Sequence, residues 1–152
     1  MNDTISNPSA ASNPTSAAID AAAGPQCAAS AAEPQLPATM SAAVLVAPRQ
    51  WEIQQVPLPQ PAAHEVLVQV EGCGVCGSNL PVWEGRPWFT YPLSPGQPGH
   101  EAWGRIVQLG SDVQALRVGD RVAMLSYAGY AAYDTAAASA VVVLPHSLDD
   151  QP

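Results

Sequence analysis

The stretch EVLVQVEGCGVCGSN, residues 65–79, decides the fold. Val66, Val68 and Val70 fall on one face of an extended chain, and polar side chains occupy positions on the other face. This alternation predicts a half-buried strand over residues 65–71. The glycine- and cysteine-rich segment that follows predicts a bend, because glycine allows backbone conformations that other residues avoid.

Short elements flank this stretch on both sides. The segment SNLPVWEG predicts a short helix capped by Ser78, since a serine hydroxyl can accept a hydrogen bond from the first helical turn. The proline- and aromatic-rich residues 86–98 predict a loop. Further strands are predicted over residues 42–47, 102–109, 121–125 and 139–144. Many short strands separated by glycine and proline turns favour a mainly β protein, either a small barrel or a sandwich.

The composition changes sharply near Met40. Residues 1–39 are dominated by alanine, serine and proline and contain almost no large apolar side chains. Such a segment cannot bury enough surface to offset its backbone entropy, so we predict a disordered tail over 1–39 and a domain over 40–152. An alternative is that translation begins at Met40. Cys27 falls in the tail and is given no role.

Charge and length exclude several classes of function. The 152 residues carry a net charge of −8, and every basic residue is an arginine. An acidic protein repels nucleic acid and anionic lipid, so neither is an expected partner. The sequence contains no targeting signal and no apolar run of about 20 residues, which predicts a cytoplasmic protein. A chain of this length has room for one core but not for a complete dinucleotide-binding domain as well.

Two short motifs carry chemistry. Cys76 lies in GVCGSN, and His100 and Glu101 lie in GHE. Thiolate and imidazole are preferred zinc ligands, and a neighbouring carboxylate adds negative charge. Taken alone, however, these residue types favour a structural interpretation, because an isolated buried cysteine or histidine is more often a packing or hydrogen-bonding residue.

The spacing of the motifs changes that interpretation. GHEAWGRIVQLGSDV, residues 99–113, resembles the zinc signature of the medium-chain alcohol dehydrogenase/reductase family, and GVCGSN is similar to that family's G-[IV]-C-G-[ST]-D. LRVGDRV, residues 116–122, resembles a further family landmark. The resemblance covers residues 40–145. It implies the N-terminal catalytic domain of that family, with a GroES-like, partly open β-barrel and short helices.

The resemblance also implies a chemistry for this chain. Cys76 and His100 match two of the three protein ligands of a catalytic zinc, and Glu101 matches an acidic residue near the metal. Ser78 matches a hydroxyl that hydrogen-bonds the alcohol and begins a proton relay. The implied function is zinc-dependent interconversion of a small alcohol and a carbonyl compound with NAD(P).

Two departures from the family pattern limit this expectation. Asn79 stands where the family has an aspartate that supports the zinc-bound histidine, so we expect a less firmly held and less basic ligand. The third ligand and the Rossmann domain that binds NAD(P) would follow beyond residue 152. We therefore expect an incomplete zinc site and no turnover by this chain alone. A separate Rossmann chain, a homo-oligomer and a non-catalytic remnant remain open, and an uncovered apolar face predicts self-association.

Two features near the motifs allow more than one interpretation. Cys73 and Cys76 form a C-x-x-C, but no second pair completes a zinc knuckle and no thioredoxin-like pattern surrounds it, so we treat Cys73 as incidental. The loop after the cysteines is unusually aromatic. Its rings either shape an apolar substrate pocket or pack the loop onto the barrel, and the residues concerned are Trp83, Trp88, Phe89 and Tyr91.

Overall fold

The computed structural model describes residues 35–145, 147 and 148. Most of the predicted disordered tail, including Cys27, lies outside the described residues. Residues 35–39, which we assigned to the tail, are described: Leu36 packs against the cluster that contains Met40, and the first strand begins at Thr39. The packed structure therefore begins before residue 40.

The described chain is mainly β, with short helical segments. Its strands are β1 Thr39–Ala47, β2 Gln50–Pro57, β3 Glu65–Cys73, β4 Ala102–Leu109, β5 Arg121–Met124, β6 Tyr133–Ala137 and β7 Val141–Val143. Its helical segments are the α-helix α1, Leu80–Glu84, and two 3-10 turns, Gly77–Asn79 and Ala138–Ala140. No helix in this part of the chain is long and apolar enough to cross a membrane.

The strands form two antiparallel sheets. The larger sheet has the order β6-β3-β4-β5-β7, and β1 and β2 form a separate hairpin. Backbone hydrogen bonds join the hairpin to the chain before β6: the Ala43 N–H donates to the Tyr130 carbonyl, and the Ala132 N–H donates to the Ser41 carbonyl. The result is the partly open β-barrel that the sequence predicts.

The central strands bury apolar side chains on both faces. Val66 and Val68 of β3 pack with Ile106 of β4 in the main core, and all three are fully buried. Leu67 is also fully buried, but it points to the opposite face and packs against Met40. Burying one such side chain contributes about 1.5–3 kcal/mol, so β3 is the strand that holds both halves of the barrel together.

The pairing of β3 with β4 places the two chemical motifs at one edge of the sheet. In the register of these strands Cys73, the last residue of β3, lies opposite Ala102, the first residue of β4. Gly104 allows the close approach, because a Cβ there would overlap the Gln69 carbonyl oxygen. The segments that follow Cys73 and precede Ala102 therefore leave the sheet side by side.

The structure differs from the sequence predictions at three places. No strand was predicted where β6 lies. β7 covers only the end of the predicted strand 139–144, because a 3-10 turn occupies Ala138–Ala140. Ser78 lies inside the first 3-10 turn instead of capping a helix, and α1 begins after Asn79 with no side-chain cap. The loop at 86–98 and the strand at 102–109 agree with the structure.

Candidate metal centre

Two neighbouring segments carry the candidate ligands. Cys76 follows β3, whereas His100 and Glu101 precede β4. The Gly74 N–H donates a 2.9 Å hydrogen bond to the Glu101 carbonyl, which continues the pairing of the two strands into these segments. Residues more than 20 positions apart in sequence thus become neighbours, because they extend paired strands.

Three potential metal-binding groups converge here. The Cys76 thiol, one ring nitrogen of His100 and a carboxylate oxygen of Glu101 all lie within 4.8 Å of one another. Cys76 and His100 are partly buried, and Glu101 is exposed. Gly74 makes room for the carboxylate, since a Cβ at this position would overlap a Glu101 carboxylate oxygen. The structure therefore brings together the three residues that the sequence predicts as metal ligands.

The surroundings of Cys76 favour its thiolate. Hydrogen bonding from the Ser78 side chain and then from the Ser78 backbone N–H lowers the pKa of the Cys76 thiol, and hydrogen bonding with His100 lowers it further. The negative charge of Glu101 opposes this effect. Because the thiolate is the form that binds metal, these hydrogen bonds prepare Cys76 as a ligand.

The backbone orients the His100 ring. Its Nδ1 lies 2.9 Å from the Pro98 carbonyl oxygen, and its Nε2 lies 3.4 Å from the Ser78 hydroxyl. A carbonyl only accepts, so Nδ1 carries the proton and donates it to Pro98. The Pro98 carbonyl, and then the Cys76 thiol, raise the pKa of His100. In the neutral ring the lone pair is consequently on Nε2, on the side of Ser78.

Asn79 connects the two ligand-bearing segments. Its Oδ1 accepts a 3.0 Å hydrogen bond from the Cys76 N–H, and its Nδ2 donates a 2.8 Å hydrogen bond to the Pro98 carbonyl. The side chain is buried, with 7% of its surface exposed. Asn79 and His100 therefore share the Pro98 carbonyl as a hydrogen-bond acceptor.

The donor set fits zinc in chemistry and nearly in geometry. Thiolate, imidazole and carboxylate are the groups that bind Zn²⁺, and in a tetrahedral site their donor atoms lie about 3.3–3.6 Å apart. The three groups lie within 4.8 Å of one another here, so side-chain movements of about an ångström would bring all three donor atoms to the separations found around zinc. Three ligands leave the fourth position of a tetrahedral site open, which is typical of catalytic zinc sites.

An apolar cavity of about 410 Å³ opens beside Cys76. Its wall is formed by Ala43, Trp51, Val75, Cys76, Asn79, Leu80, Trp83 and Tyr130. A second cavity, of about 310 Å³, is lined by Ser78, His100 and Phe89 and, like the first, by Asn79. The centre therefore borders two spaces large enough for a small organic molecule.

The aromatic loop divides between the two predicted roles. Trp83 and Phe89 line the cavities. Tyr91 instead packs the loop, because its hydroxyl donates to the Val82 carbonyl of α1. Trp88 is 70% exposed and contacts Phe89. The sequence pattern did not reveal Trp51 and Tyr130, which reach the larger cavity from distant parts of the chain.

Cys73 is not one of the three residues whose ligand atoms converge. Its thiol contacts the Gly74 carbonyl at 3.5 Å, and burial raises its pKa although backbone hydrogen bonding at Glu101 and His100 acts in the opposite direction. Cys73 and Cys76 are both free thiols. The incidental role of Cys73 stays a prediction.

A match to a protein family accounts for this combination of fold and ligands. Residues 62–146 match the family model described as the alcohol dehydrogenase GroES-like domain, and this match covers more than half of the chain. The chain belongs to this family. The matched stretch contains β3, β4 and all three candidate ligands, so the family assignment and the observed geometry concern the same residues.

Individual relatives match over part of their length. The sequence is similar to a sorbitol dehydrogenase of Ovis aries (38% identity over 53% of this chain and 23% of the relative) and to an alcohol dehydrogenase of Rhizobium meliloti (43% over 46% and 20%). A solved structure of an alcohol dehydrogenase superfamily protein from Novosphingobium aromaticivorans superposes with a TM-score of 0.63 and 29% identity, covering 73% of this chain and 36% of that one. The chain spans less than a quarter of the length of these two curated relatives.

Proposed function

We propose that this chain is the zinc-ligand-bearing part of an oxidoreductase that interconverts an alcohol and a carbonyl compound with NAD(P). The observation that carries the proposal is the convergence of Cys76, His100 and Glu101 within 4.8 Å in a domain of the alcohol dehydrogenase family. The hydrogen bonds that favour a Cys76 thiolate and a free His100 Nε2 support it, because both are the forms that bind zinc.

Each residue of the centre would have a separate role. Cys76 and His100 would hold the metal, and Glu101, which is exposed, would complete the site or assist exchange of a water molecule. When bound, zinc supplies a Lewis acid that lowers the pKa of an alcohol hydroxyl. The Ser78 hydroxyl lies at the same edge of the sheet and would accept a hydrogen bond from the alcohol; it would relay the released proton only by passing its own hydroxyl proton on to water or another acceptor.

The cavity beside Cys76 favours a substrate with a mainly apolar body. Two of its polar side chains are already engaged: the Tyr130 hydroxyl donates to the Gly74 carbonyl at 3.2 Å, and both polar atoms of Asn79 have partners. With most of the remaining wall apolar, each additional substrate hydroxyl that lost water without gaining a hydrogen bond would cost about 1–3 kcal/mol. We therefore propose a small apolar or aromatic alcohol, or the corresponding carbonyl compound, in preference to a polyol.

The proposal assigns NAD(P) binding to another part of the assembly. The matched region corresponds to 23% of the sorbitol dehydrogenase and 20% of the alcohol dehydrogenase, so most of each of these relatives has no counterpart in it. We propose that the hydride acceptor binds to a Rossmann domain outside this region or on a partner chain. Without that partner we expect no alcohol-dependent reduction of NAD(P).

The first test is the zinc content and zinc affinity of the purified chain. We expect near-stoichiometric zinc and a fall in affinity of at least about tenfold in Cys76→Ser, because the variant lacks the thiolate. Cys73→Ser is the matched control: it removes a thiol three residues away that lies outside the ligand group, and should retain zinc.

The two variants separate the possible results. Zinc that is lost from Cys76→Ser and kept by Cys73→Ser supports the proposal. Equal loss from both variants, or a wild-type chain that binds little zinc at micromolar concentrations, contradicts it and favours a non-catalytic domain that retains the ligands without their chemistry.

A further inference from the structure

The Pro98 carbonyl is a shared acceptor at the centre of the site. It accepts one hydrogen bond from His100 Nδ1 at 2.9 Å and a second from Asn79 Nδ2 at 2.8 Å. A carbonyl oxygen has two lone pairs, so both donors are accommodated. The direction of this carbonyl therefore depends on Asn79 as well as on His100.

The position of Asn79 requires one acceptor and one donor on the same side chain. The Cys76 N–H needs an acceptor, which is Oδ1, and the Pro98 carbonyl meets a donor, which is Nδ2. A carboxamide supplies both groups. A carboxylate would place an oxygen against the carbonyl oxygen of Pro98, and these two acceptors repel. The asparagine therefore matches the donor and acceptor that this backbone presents.

We propose that Asn79 is a positioning residue that sets the tautomer of His100 through the Pro98 carbonyl. Asn79 holds that carbonyl toward the ring, the carbonyl takes the Nδ1 proton, and Nε2 is left as the free lone pair facing the site. The link between Asn79 and His100 runs through a backbone carbonyl. The zinc readout of this inference rests on the proposed function, but the tautomer readout does not.

The test measures the His100 tautomer directly on the full chain. Two-dimensional ¹⁵N–¹H NMR of the metal-free protein, at a pH above the pKa of the ring, distinguishes Nδ1–H from Nε2–H imidazole. We expect wild-type His100 as the Nδ1–H tautomer. In Asn79→Leu the Pro98 carbonyl loses its second donor, so we expect a substantial population of the Nε2–H form. Zinc affinity should fall about 10–100-fold, as is typical when support for a ligand histidine is removed.

The control variant is Val82→Ala. Val82 is buried on α1 close to Asn79, so its truncation loosens the packing of this region without removing a hydrogen-bond donor to Pro98. We expect Val82→Ala to lower stability but to keep the Nδ1–H tautomer. The comparison separates the positioning role from a general loosening of the fold.

Three results would overturn the inference. The first is wild-type His100 in the Nε2–H form, which needs no variant and so remains informative if Asn79→Leu does not fold. The second is a folded Asn79→Leu that keeps the Nδ1–H tautomer, whatever its zinc affinity. The third is an equal tautomer change in Val82→Ala. If wild-type His100 is the Nδ1–H tautomer but the chain binds no zinc, the proposed function is contradicted and the inference about Asn79 is not.

Discussion

Asn79 and Asp134 are buried to the same extent but are held very differently. Asn79 is 7% exposed and Asp134 is 6% exposed. Asn79 bonds the backbone at Cys76 and Pro98, two segments that are far apart in sequence. Asp134 accepts a 2.7 Å hydrogen bond from the N–H of the next residue, Thr135. Its Oδ2 has no partner at hydrogen-bond distance among the residues that the structure describes, and the Ser126 hydroxyl and Ala128 N–H, which favour the charged carboxyl, do not offset its burial.

This difference decides what each side chain does for the protein. A buried polar group stabilises the fold only when its partners replace the water it has lost. Asn79 meets that condition and joins the segments of the metal centre. Asp134 meets it only in part, and burial raises the pKa of its carboxyl because the charged form is poorly solvated. We therefore expect Asn79 to stabilise the fold and Asp134 to destabilise it at neutral pH.

Replacing Asn79 should have the largest effect on stability. Asn79→Leu has a similar volume but leaves the Cys76 N–H without its acceptor and removes one donor from Pro98. An unsatisfied buried group costs about 1–3 kcal/mol, so we expect the free energy of unfolding of the metal-free chain to fall by about that amount. Urea denaturation measures it. The exposed neighbour Ser78→Ala should change it by less than about 0.5 kcal/mol. Equal changes in the free energy of unfolding of the two variants would show that the hydrogen bonds of Asn79 stabilise the fold no more than an exposed side chain does.

Replacing Asp134 should have a smaller effect of opposite sign, and the effect should depend on pH. Burial raises the folded-state pKa of Asp134 above its ordinary value of 3.8, so the proton is bound more tightly in the folded protein. Its contribution to stability is therefore complete below about pH 4 and is lost as the pH rises through the folded-state pKa. Asp134→Asn should be the more stable protein at neutral pH, and its advantage should disappear in acid.

Thermal denaturation across this pH range tests the prediction. In a domain of this size each kcal/mol gained raises Tm by about 4–8 °C. The control is Glu52→Gln, because Glu52 is exposed and hydrogen-bonded to the neighbouring side chain of Gln54. A pH-independent difference between Asp134→Asn and wild type would show that the carboxyl is not destabilised by burial.

The contrast between the two regions also separates what the sequence could predict from what it could not. β3 and β4 were predictable, because alternating valines and bounding glycines specify strands locally. β6 was not: its sequence YDTAA contains two alanines and an aspartate, which have low strand propensity. Its pairing along Glu65–Gln69 of β3 makes it a strand, so tertiary contacts override the local preference.

The same limit applies to the metal centre. The family pattern located Cys76, His100 and Glu101, since ligand types and spacing are visible in a sequence. The support of His100 was not visible, because its partner is a backbone carbonyl at Pro98, and every residue has a carbonyl. Asn79 was noticed as a departure from the family pattern, but its effect depends on which acceptors and donors the fold places around it.

The smallest effect is expected for Ser126, which is 7% exposed and whose hydroxyl has no partner at hydrogen-bond distance within the described part of the chain, although it lowers the pKa of the Asp134 carboxyl. Ser126→Ala removes a poorly compensated buried hydroxyl and also a group that favours the Asp134 carboxylate, and because these effects oppose each other the free energy of unfolding should change by less than about 1 kcal/mol. The measurement is most informative when repeated in the Asp134→Asn background. If the serine substitution is harmful only when Asp134 is present, the hydroxyl supports the carboxylate. Asp134 would then be better satisfied than its contacts indicate, and the contrast with Asn79 would narrow.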